Sequence, residues 1–278
     1  MILVNLGCGS CWHPAWRNLD LHAIPPFVRR VDLRHRLPFD DASCDAVYHS
    51  HVIEHLPRED AARLVGECFR IVKPGGIVRV AAPDLERSCR GYLDALERAA
   101  QGGSDFQYRW SVVELLDQTV REASGGEMGA MMRAANAADA AHIRRRVGPF
   151  GVEVAMPWQA DGSTPRPVRM ASRVRSASRS RTRRAREQLT SVAARVVGGS
   201  EGARQLALGR FRRSGEIHLW MYDRYSLARL LESAGFTDLS VREAGESRIA
   251  GFADHGLETL DGRPRKPDSL YMEGSRPV

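Results

Sequence analysis

The 278-residue chain is long enough for one large α/β domain with an insertion, or for two small domains. It contains no run of eighteen or more apolar residues, which excludes an ordinary transmembrane helix. The apolar stretch at residues 1–6 is too short for a signal peptide and no basic residue precedes it, so we expect a cytoplasmic protein. The five cysteines agree with this expectation, because an odd number without a leader indicates reduced thiols.

The positive charge is concentrated in one segment. The formal net charge is +7, and residues 166–186 contain nine arginines and no acidic residue, so the remaining residues carry a net charge of −2. We interpret residues 161–188, which are rich in Ser, Arg and Pro, as a flexible, solvated loop. Contact of this loop with an anionic substrate or a membrane surface stays open as an alternative. Nucleic acid is disfavoured, because the tract has no aromatic residues for base stacking.

Residues 1–90 alternate short apolar runs with turn signals, which is the rhythm of a parallel sheet. A helix is predicted at Pro57–Ile71 from its apolar residues at helical spacing, and Lys73–Gly76 is expected to end it. The predicted strands are Ile2–Leu6, Trp16–Leu21, Phe27–Asp32, Cys44–Ser50 and Ile77–Ala81.

The composition changes after the fifth predicted strand. Residues 91–160 are Ala-rich with a helical pattern, and we expect two or three inserted helices there. Further elements are predicted as helices at Leu189–Leu208 and Tyr225–Ala234 and as strands at Leu239–Glu243 and Ser269–Glu273. We therefore divide the chain into an α/β domain, residues 1–90 and 216–278, and a helical insert, residues 91–215, which contains the Arg-rich loop.

A glycine-rich turn, Asn5-Leu-Gly7-Cys-Gly9, follows the first predicted strand. Such a turn lets the backbone approach a ligand closely. Asp20 and Asp32 end the next two predicted strands, so both carboxylates are expected at the ligand-binding edge of the sheet. There Asp20 could accept the ribose hydroxyls of an adenosine, with Asp32 beside the adenine. A full dinucleotide fingerprint would need a third glycine, so the turn favours a mononucleoside cofactor over NAD.

Ordered motifs extend through the first 85 residues. They are Val4-Asn-Leu-Gly-Cys-Gly9, Asn18-Leu-Asp20, Leu37-Pro-Phe-Asp-Asp41, Cys44-Asp-Ala-Val47, His51-Val-Ile-Glu-His-Leu56 and Arg70-Ile-Val-Lys-Pro-Gly-Gly76. Together they resemble the motifs of class I S-adenosylmethionine (SAM)-dependent methyltransferases of the type 11 group. The resemblance resumes over residues 216–278, where Ser226–Phe236 is similar to the family's late helix. It implies SAM as the cofactor and a Rossmann-like sheet that is mostly parallel, with an antiparallel last strand.

The resemblance also implies residue roles. Gly7 and Gly9 would carry the loop beneath the methionine part of SAM, and Asp20 would bind its ribose. The complete set implied for the cofactor is Asn5, Gly7, Cys8, Gly9, Asp20, Leu21, Asp32, Leu33, Ser50 and His51. Asn5 departs from the family, which usually has an acid there, so we expect water or backbone to bind the methionine amine instead.

A hydroxyl acceptor would benefit from a general base, and the candidates are His51, His55, His218 and Asp223. We predict His51, His218 and Asp223 as the catalytic residues, while His55 is expected to cap or pack locally. The segment from His218 to Asp223 is interpreted either as a wall of the acceptor site or as an aromatic plug that closes the core. Asp223 would also serve as the cap of the following helix.

Two spacings superficially resemble metal sites. We predict that His49, His51 and His55 hold no metal, because the first two straddle a strand end and the third opens a helix. Cys8 and Cys11 have no second pair at matching spacing, so Cys8 is interpreted as a small apolar residue of the turn.

These features predict methyl transfer from SAM to a small-molecule or lipid-linked acceptor, at an oxygen atom. A saccharide acceptor is a weaker expectation, which rests on tail sequences of similar methyltransferases. RNA or protein methylation and a non-catalytic SAM-binding module are the alternatives. Methylation of base amines is disfavoured, because residues 50–54 lack the Asn/Asp-Pro-Pro-aromatic motif that often follows the fourth strand in such enzymes. The sequence carries no signal for an oligomeric state.

Overall fold

The computed structural model describes the backbone of residues 1–155 and 181–278 and the side chains of residues 1–148 and 189–278. Its central feature is a seven-stranded sheet with the strand order β3-β2-β1-β4-β5-β9-β6. These strands are β1 (Leu3–Leu6), β2 (Arg17–Asp20), β3 (Val28–Arg30), β4 (Cys44–Ser50), β5 (Val72–Pro83), β6 (Thr237–Arg242) and β9 (Ser269–Ser275). The short strands β7 (Thr259–Leu260) and β8 (Arg263–Pro264) form a separate two-stranded ribbon.

The sheet is parallel from β1 to β5, and β9 runs antiparallel to both of its neighbours, β5 and β6. This arrangement confirms the predicted Rossmann-like α/β fold with an antiparallel last strand. All four residues of β1 are buried, which explains why three of them, Leu3, Val4 and Leu6, are apolar without alternation. A parallel strand in the middle of such a sheet is covered on both faces.

The helices surround and extend this sheet. They are α1 (Arg58–Ile71), α2 (Leu85–Ala100), α3 (Asp105–Val120), α4 (Gly126–Ala134), α5 (Ala137–Ala155), α6 (Arg181–Arg212) and α7 (Arg224–Ser233). Non-helical backbone at Gly148 and Gly199 interrupts α5 and α6. Side-chain caps begin four of them, since Asp84, Ser104, Asn136 and Asp223 each accept a backbone N–H of the first turn. Among the described residues, no helix is both long enough and apolar enough to cross a bilayer.

Different partners cover the two faces of the sheet. On one face, α1 and α7 bury Leu64 and Leu231 in the main core with the strands. On the other face, Trp16 and Tyr48 pack against the segment 249–257, which ends in a single 3₁₀ turn. The insert has a separate core of Trp110, Val113, Met131, Met132, Ala140, Ile143 and Val147. This separate core is compatible with the predicted division into an α/β domain and an insert, which stays a prediction.

Four sequence predictions differ from the structure. The third strand ends at Arg30 and not at Asp32, because the Asp32 carboxylate instead accepts from the backbone and guanidinium of Arg34. The segment Lys73–Gly76 ends α1 as predicted but already belongs to β5, which begins at Val72. The insert begins at Leu85 and has four helices up to residue 155, because Asp84 caps a helix directly after β5.

The fourth difference concerns the predicted Arg-rich loop. Residues 181–188 lie in α6 and not in a loop, so the prediction was wrong at this end. Residues 161–180, with most of the tract, lie outside the described residues.

Candidate functional site

The glycine turn that follows β1 is fixed by backbone bonds to β2. The N–H groups of Gly7 and Cys8 both donate to the carbonyl oxygen of Leu19, at 2.7 Å and 3.2 Å. Gly7 and Gly9 have φ values of +64° and +53°, a backbone region that residues with a side chain adopt at a cost. The turn therefore requires glycine on conformational grounds alone.

The two glycines differ in what surrounds them. A Cβ atom on Gly7 would lie 2.4 Å from Val52 Cγ2 and 3.6 Å from Leu33 Cδ1, whereas a Cβ on Gly9 would meet nothing within 4 Å. Val52 follows β4 and Leu33 follows β3, so chain segments after three strands meet at Gly7. Gly9 instead faces open space at the same edge of the sheet, as expected for a turn that lies against a ligand.

Alanine substitutions at Gly7 and Gly9 separate the cost of a positive φ from the cost of the contact with Val52. Both substitutions place a side chain at positive φ, which costs about 1–2 kcal/mol. Gly7→Ala also presses against Val52, so we expect a total loss of about 2–4 kcal/mol in the free energy of unfolding, clearly more than for Gly9→Ala. Chemical denaturation measures both. Equal losses would show that Val52 moves aside at no cost.

Asp20 lies beside this turn at the end of β2. Its Oδ2 accepts from the N–H of Gly9 at 2.9 Å, and its Oδ1 accepts from the N–H of His22 at 2.8 Å. The side chain is 15% exposed, so the carboxylate is held by the turn and still reaches the open crevice. Each carboxylate oxygen can accept a further hydrogen bond, which leaves acceptors for a ligand's hydroxyl groups.

The side chain of Asp32 lies less favourably for its predicted role beside adenine. Its bidentate pairing with Arg34 lowers the pKa of the Asp32 carboxyl to about 2, so it is ionised at neutral pH. Leu33 packs against the main core near Gly7, and Leu21 is 47% exposed beside Asp20. The assignment of these three residues to a cofactor site stays a prediction.

Asn5 is buried in the floor of the turn. Its amide nitrogen donates to the carbonyl of Cys11 at 3.1 Å and to Oδ1 of Asn18 at 3.2 Å. Asn18 in turn donates to the backbone oxygens of His13 and Trp16. Asn5 therefore orders residues 11–18, and its predicted place in the cofactor site stays a prediction.

Cys8 and Cys11 are free thiols, consistent with the rejection of a redox pair. Burial raises the pKa of Cys8 to about 12, with a smaller effect from the charge of Asp20, so this thiol is neutral. Cys11 Sγ donates to the carbonyl oxygen of Leu257 at 3.2 Å.

Ser50 and His51 lie at the carboxyl end of β4, next to the turn. His51 has a φ of +53°, which is rare for a residue with a side chain and is found more often at functional sites. Its backbone N–H donates to Ala81, its Nε2 lies 2.7 Å from Ser269 Oγ, and its Nδ1 lies 3.2 Å from Glu54 Oε1. The ring of His51 is thus held by Ser269 through Nε2, while Nδ1 faces Glu54.

The histidines after β4 gather around Glu54, which is completely buried. His55 Nε2 lies 3.8 Å from Glu54 Oε1, and the rings of His55 and His218 make an edge contact with centroids 4.8 Å apart. Burial lowers the pKa of His218 to about 3, against the opposing charge of Glu54. Burial raises the pKa of Glu54, but His51 and its other histidine neighbours outweigh this and the net pKa is below the ordinary value.

The segment from His218 to Asp223 has a buried and an exposed aromatic residue, and its interpretation as a wall of the acceptor site stays a prediction. Tyr222 is 4% exposed and belongs to the main core, as an aromatic plug would. Trp220 is 42% exposed beneath the guanidinium of Arg58, and so remains accessible. Asp223 caps α7 in a reciprocal box with Ser226, which occupies the carboxylate oxygen Oδ1. Its predicted catalytic role is untested, and the structure shows it as a cap.

Glu54, Ser269 and Lys266 share this neighbourhood and were not among the predicted catalytic or cofactor-binding residues. Ser269 contacts His51 directly, and the charge of Lys266 adds to burial in lowering the pKa of His51. Glu54 stands among apolar residues in the motif that begins at His51. This charged residue in an apolar context was the sequence signal that could have identified it. Ser269 is the first residue of the last strand, β9, and Lys266 lies just before that strand. No local pattern links either residue to β4.

Part of the chain is similar to known proteins. Residues 11–80 match the family model described as a methyltransferase domain. A protein of Mycolicibacterium smegmatis, described as a probable S-adenosylmethionine-dependent methyltransferase, is 49% identical over 59 residues, which are 20% of this chain and 22% of that protein. Over these residues the chain is similar to methyltransferases of the type 11 group. The matched residues include Asp20 and His51 and begin just after the glycine turn.

Solved structures of methyltransferases also align with the chain. A SAM-dependent methyltransferase of Thermotoga maritima aligns with 12% identity and a TM-score of 0.39, over 99% of this chain and 82% of that one. One from Archaeoglobus fulgidus aligns with 11% identity and a TM-score of 0.38, over 99% and 85%. The Rossmann-like fold of the chain rests on its own strand order, β3-β2-β1-β4-β5-β9-β6.

Proposed function

We propose that the chain is a SAM-dependent methyltransferase that acts on a hydroxyl oxygen of a small-molecule or lipid-linked acceptor. The curated relative is matched over only 22% of its length, so the activity of this chain is argued from its own crevice. That crevice lies at the carboxyl ends of β1, β2 and β4, the edge where open α/β sheets bind ligands.

The contact between Asp20 and Gly9 carries the proposal. It holds a carboxylate over a glycine whose missing side chain leaves open space, so a flat nucleoside could lie on the turn. A vicinal diol needs hydrogen-bond acceptors, and the Asp20 carboxylate has lone pairs left for one. The residues present therefore fit the nucleoside part of SAM, with Asp20 as the ribose ligand and Gly7, Cys8 and Gly9 as the floor.

SAM, when bound, supplies a methyl group that its sulfonium already activates. The remaining task of this chain is to bind, align and exclude water, which can contribute a large part of a transfer rate. Ser50 and His51 end β4 beside the turn, so they would face the reacting side of the crevice. The contacts of His51 with Ser269 and Glu54 hold its ring in one orientation.

The insert is positioned to select the acceptor. β5 ends at Pro83 and α2 begins at Leu85, so the chain leaves the sheet for the insert at the carboxyl edge. The N–H of His218 donates to the carbonyl of Gln118 in α3, which joins the insert to the segment beside Glu54. The helices α2–α5 therefore extend from the same edge as the crevice, and we assign acceptor specificity to them.

Asp20→Ala tests the cofactor part of this proposal. Loss of hydrogen bonds to a charged acceptor should weaken SAM binding by about 2–3 kcal/mol, or roughly 30–150-fold, in isothermal titration. Asp105→Asn is the matched control, since the side chain of Asp105 is 81% exposed on the insert and should leave the affinity unchanged. Equal SAM affinity in wild type and Asp20→Ala would contradict the ribose assignment.

The acceptor is identified with isotopically labelled SAM. Lipid, saccharide, RNA and protein fractions of cells are incubated separately with the protein and labelled SAM. We expect label in the lipid or saccharide fraction, in a bond that behaves chemically as a methyl ether. Label confined to RNA or protein would overturn the acceptor class, and SAM binding without transfer to any fraction would favour a non-catalytic module.

A further inference from the structure

Three side chains that converge beside the crevice form a cluster of metal-ligand type. Glu54, His55 and His218 each offer one ligand atom, and these atoms all lie within 4.8 Å of one another. We propose that this cluster binds a divalent cation of the zinc class. Zinc ligands lie about 2.0–2.2 Å from the ion, so small side-chain rotations would bring all three atoms into range. The site goes beyond the proposed methyl transfer and does not depend on it.

The carboxylate of Glu54 is the first part of the argument. The residue is completely buried, and neither of its oxygens has a hydrogen bond of good geometry within the described part of the chain. A buried carboxylate without such partners is costly, and proteins usually compensate it with a cation or a metal. The nearest groups are imidazoles, His51 Nδ1 at 3.2 Å and His55 Nε2 at 3.8 Å.

His55 is oriented as metal-binding histidines are. Its Nδ1 lies 3.0 Å from the carbonyl oxygen of Ile217, which can only accept a hydrogen bond. Nδ1 must therefore carry the proton, and Nε2, the nitrogen nearer Glu54, keeps its lone pair. Metal-ligating histidines almost always donate their other N–H to a carbonyl or carboxylate in this way.

His218 completes the cluster with a buried nitrogen. It is 5% exposed, and its Nδ1 has no hydrogen-bond partner among the residues described. Its position is fixed from the backbone, because its N–H donates to Gln118 and the next N–H, of Leu219, donates to the carbonyl of Glu54 at 2.7 Å. The ring is thus held beside Glu54 before any ion binds, which lowers the ordering cost of coordination.

The donor set selects the class of ion. Two imidazoles and one carboxylate are the ligands of catalytic zinc sites and also of non-haem Fe(II) sites, and they leave coordination positions open for water or a substrate oxygen. Ca²⁺ and Mg²⁺ prefer sets made only of oxygen atoms. His51 does not enter the set directly, because its Nε2 contacts Ser269 and its Nδ1 faces Glu54, where it would support the carboxylate from outside.

This set could not be assembled from sequence spacing. The histidine pattern near the end of β4 suggested His49, His51 and His55, and a metal was rejected for those three. The structure leaves His49 inside β4, with both ring nitrogens buried and without a hydrogen-bond partner in the described region. It brings in His218 from the segment between α6 and α7, where no neighbouring motif marks it as a ligand.

Zinc titration of the full-length, tag-free protein tests the site. We expect one equivalent of Zn²⁺ to bind in competition with a chromogenic chelator, and Co²⁺ to give the visible absorption of a site with nitrogen and oxygen ligands. His55→Ala and His218→Ala should each weaken Zn²⁺ binding by more than about 100-fold, since even supporting residues contribute roughly 10–100-fold. His22→Ala, whose side chain is 58% exposed and outside the cluster, is the control.

Glu54→Gln keeps the shape of the side chain and removes its charge, so it tests the site even if an alanine variant misfolds. It should also lose high-affinity Zn²⁺ binding, with a circular dichroism spectrum like that of wild type. Failure of the wild type to bind Zn²⁺, or equal affinity in His55→Ala, His218→Ala and His22→Ala, would overturn the proposal. SAM titration of the same variants keeps the two hypotheses distinct, because loss of zinc with retained SAM binding affects only the metal site.

Discussion

Arg79→Met should lower the free energy of unfolding by about 3–5 kcal/mol, because it removes one partner of a buried ion pair. Arg79 and Glu273 stand opposite each other on β5 and β9, 194 residues apart in sequence, and both are 0% exposed. Arg79 Nη1 donates to Glu273 Oε1 at 2.9 Å. Without the guanidinium, Glu273 would keep its charge in a site closed to water.

Arg79 also organises the loop after β6. Its guanidinium donates to the backbone oxygens of Glu243, Ala244 and Glu246, and it lies over the ring of Phe252 at 4.6 Å. The substitution would leave these carbonyl groups without a donor, so hydrogen exchange should rise along residues 243–252 as well as in the two strands. The pair therefore links the antiparallel strand β9 to the loop that covers this face of the sheet.

An exposed pair of the same residue types provides the control. Arg90 donates to Glu86 on α2 at 2.8 Å, and its side chain is 73% exposed, so Arg90→Met should cost less than about 1 kcal/mol. Denaturant unfolding of both variants gives the comparison. The double variant Arg79→Met, Glu273→Leu should recover part of the loss, because no charge is left buried. Similar small losses for Arg79→Met and Arg90→Met would show that water reaches the buried pair.

The parallel part of the sheet was predictable because it depends on local signals. β1 and β4 contain short apolar runs, the glycine turn follows β1 directly and Asp20 ends β2, so pattern alone placed the turn and Asp20 at one edge. The end of β3 was less predictable. Val31 and Asp32 continue the apparent strand in sequence, but the Asp32 carboxylate finds a local partner in Arg34 and the chain turns away.

The contacts around His51 were beyond the reach of sequence patterns, since they join distant segments. Ser269 reaches His51 from a residue 218 positions away, and Ile217 reaches His55 from 162 positions away. Arg79 was visible in the sequence as a single charge within an apolar strand. Glu273 could not be recognised as the partner of Arg79 from the sequence, because the pairing of β5 with β9 depends on the antiparallel insertion of the last strand.

Trp110→Ala should destabilise the insert by about 3–5 kcal/mol, as expected for removing a large side chain from a packed core. Trp110 is 0% exposed in the core formed by α3, α4 and α5, and its Nε1 donates to Glu114 Oε2 at 3.0 Å. The same Glu114 oxygen accepts from Arg146 Nε, so the indole and α5 are linked through one carboxylate. Truncation thus creates a cavity and weakens the contact between α3 and α5.

The part of the chain that loses stability in Trp110→Ala tests whether the insert unfolds independently of the sheet. Its core shares no residue with the main core of the sheet, so amide exchange should accelerate in α3–α5 while β1 and β4 stay protected. Leu116→Ala on the same helix, at a residue 50% exposed, should change exchange little. Parallel loss of protection in the insert and the sheet would mean that both unfold together.

Retained SAM binding in Trp110→Ala, with altered acceptor transfer, would instead place cofactor binding in the sheet and acceptor selection in the insert.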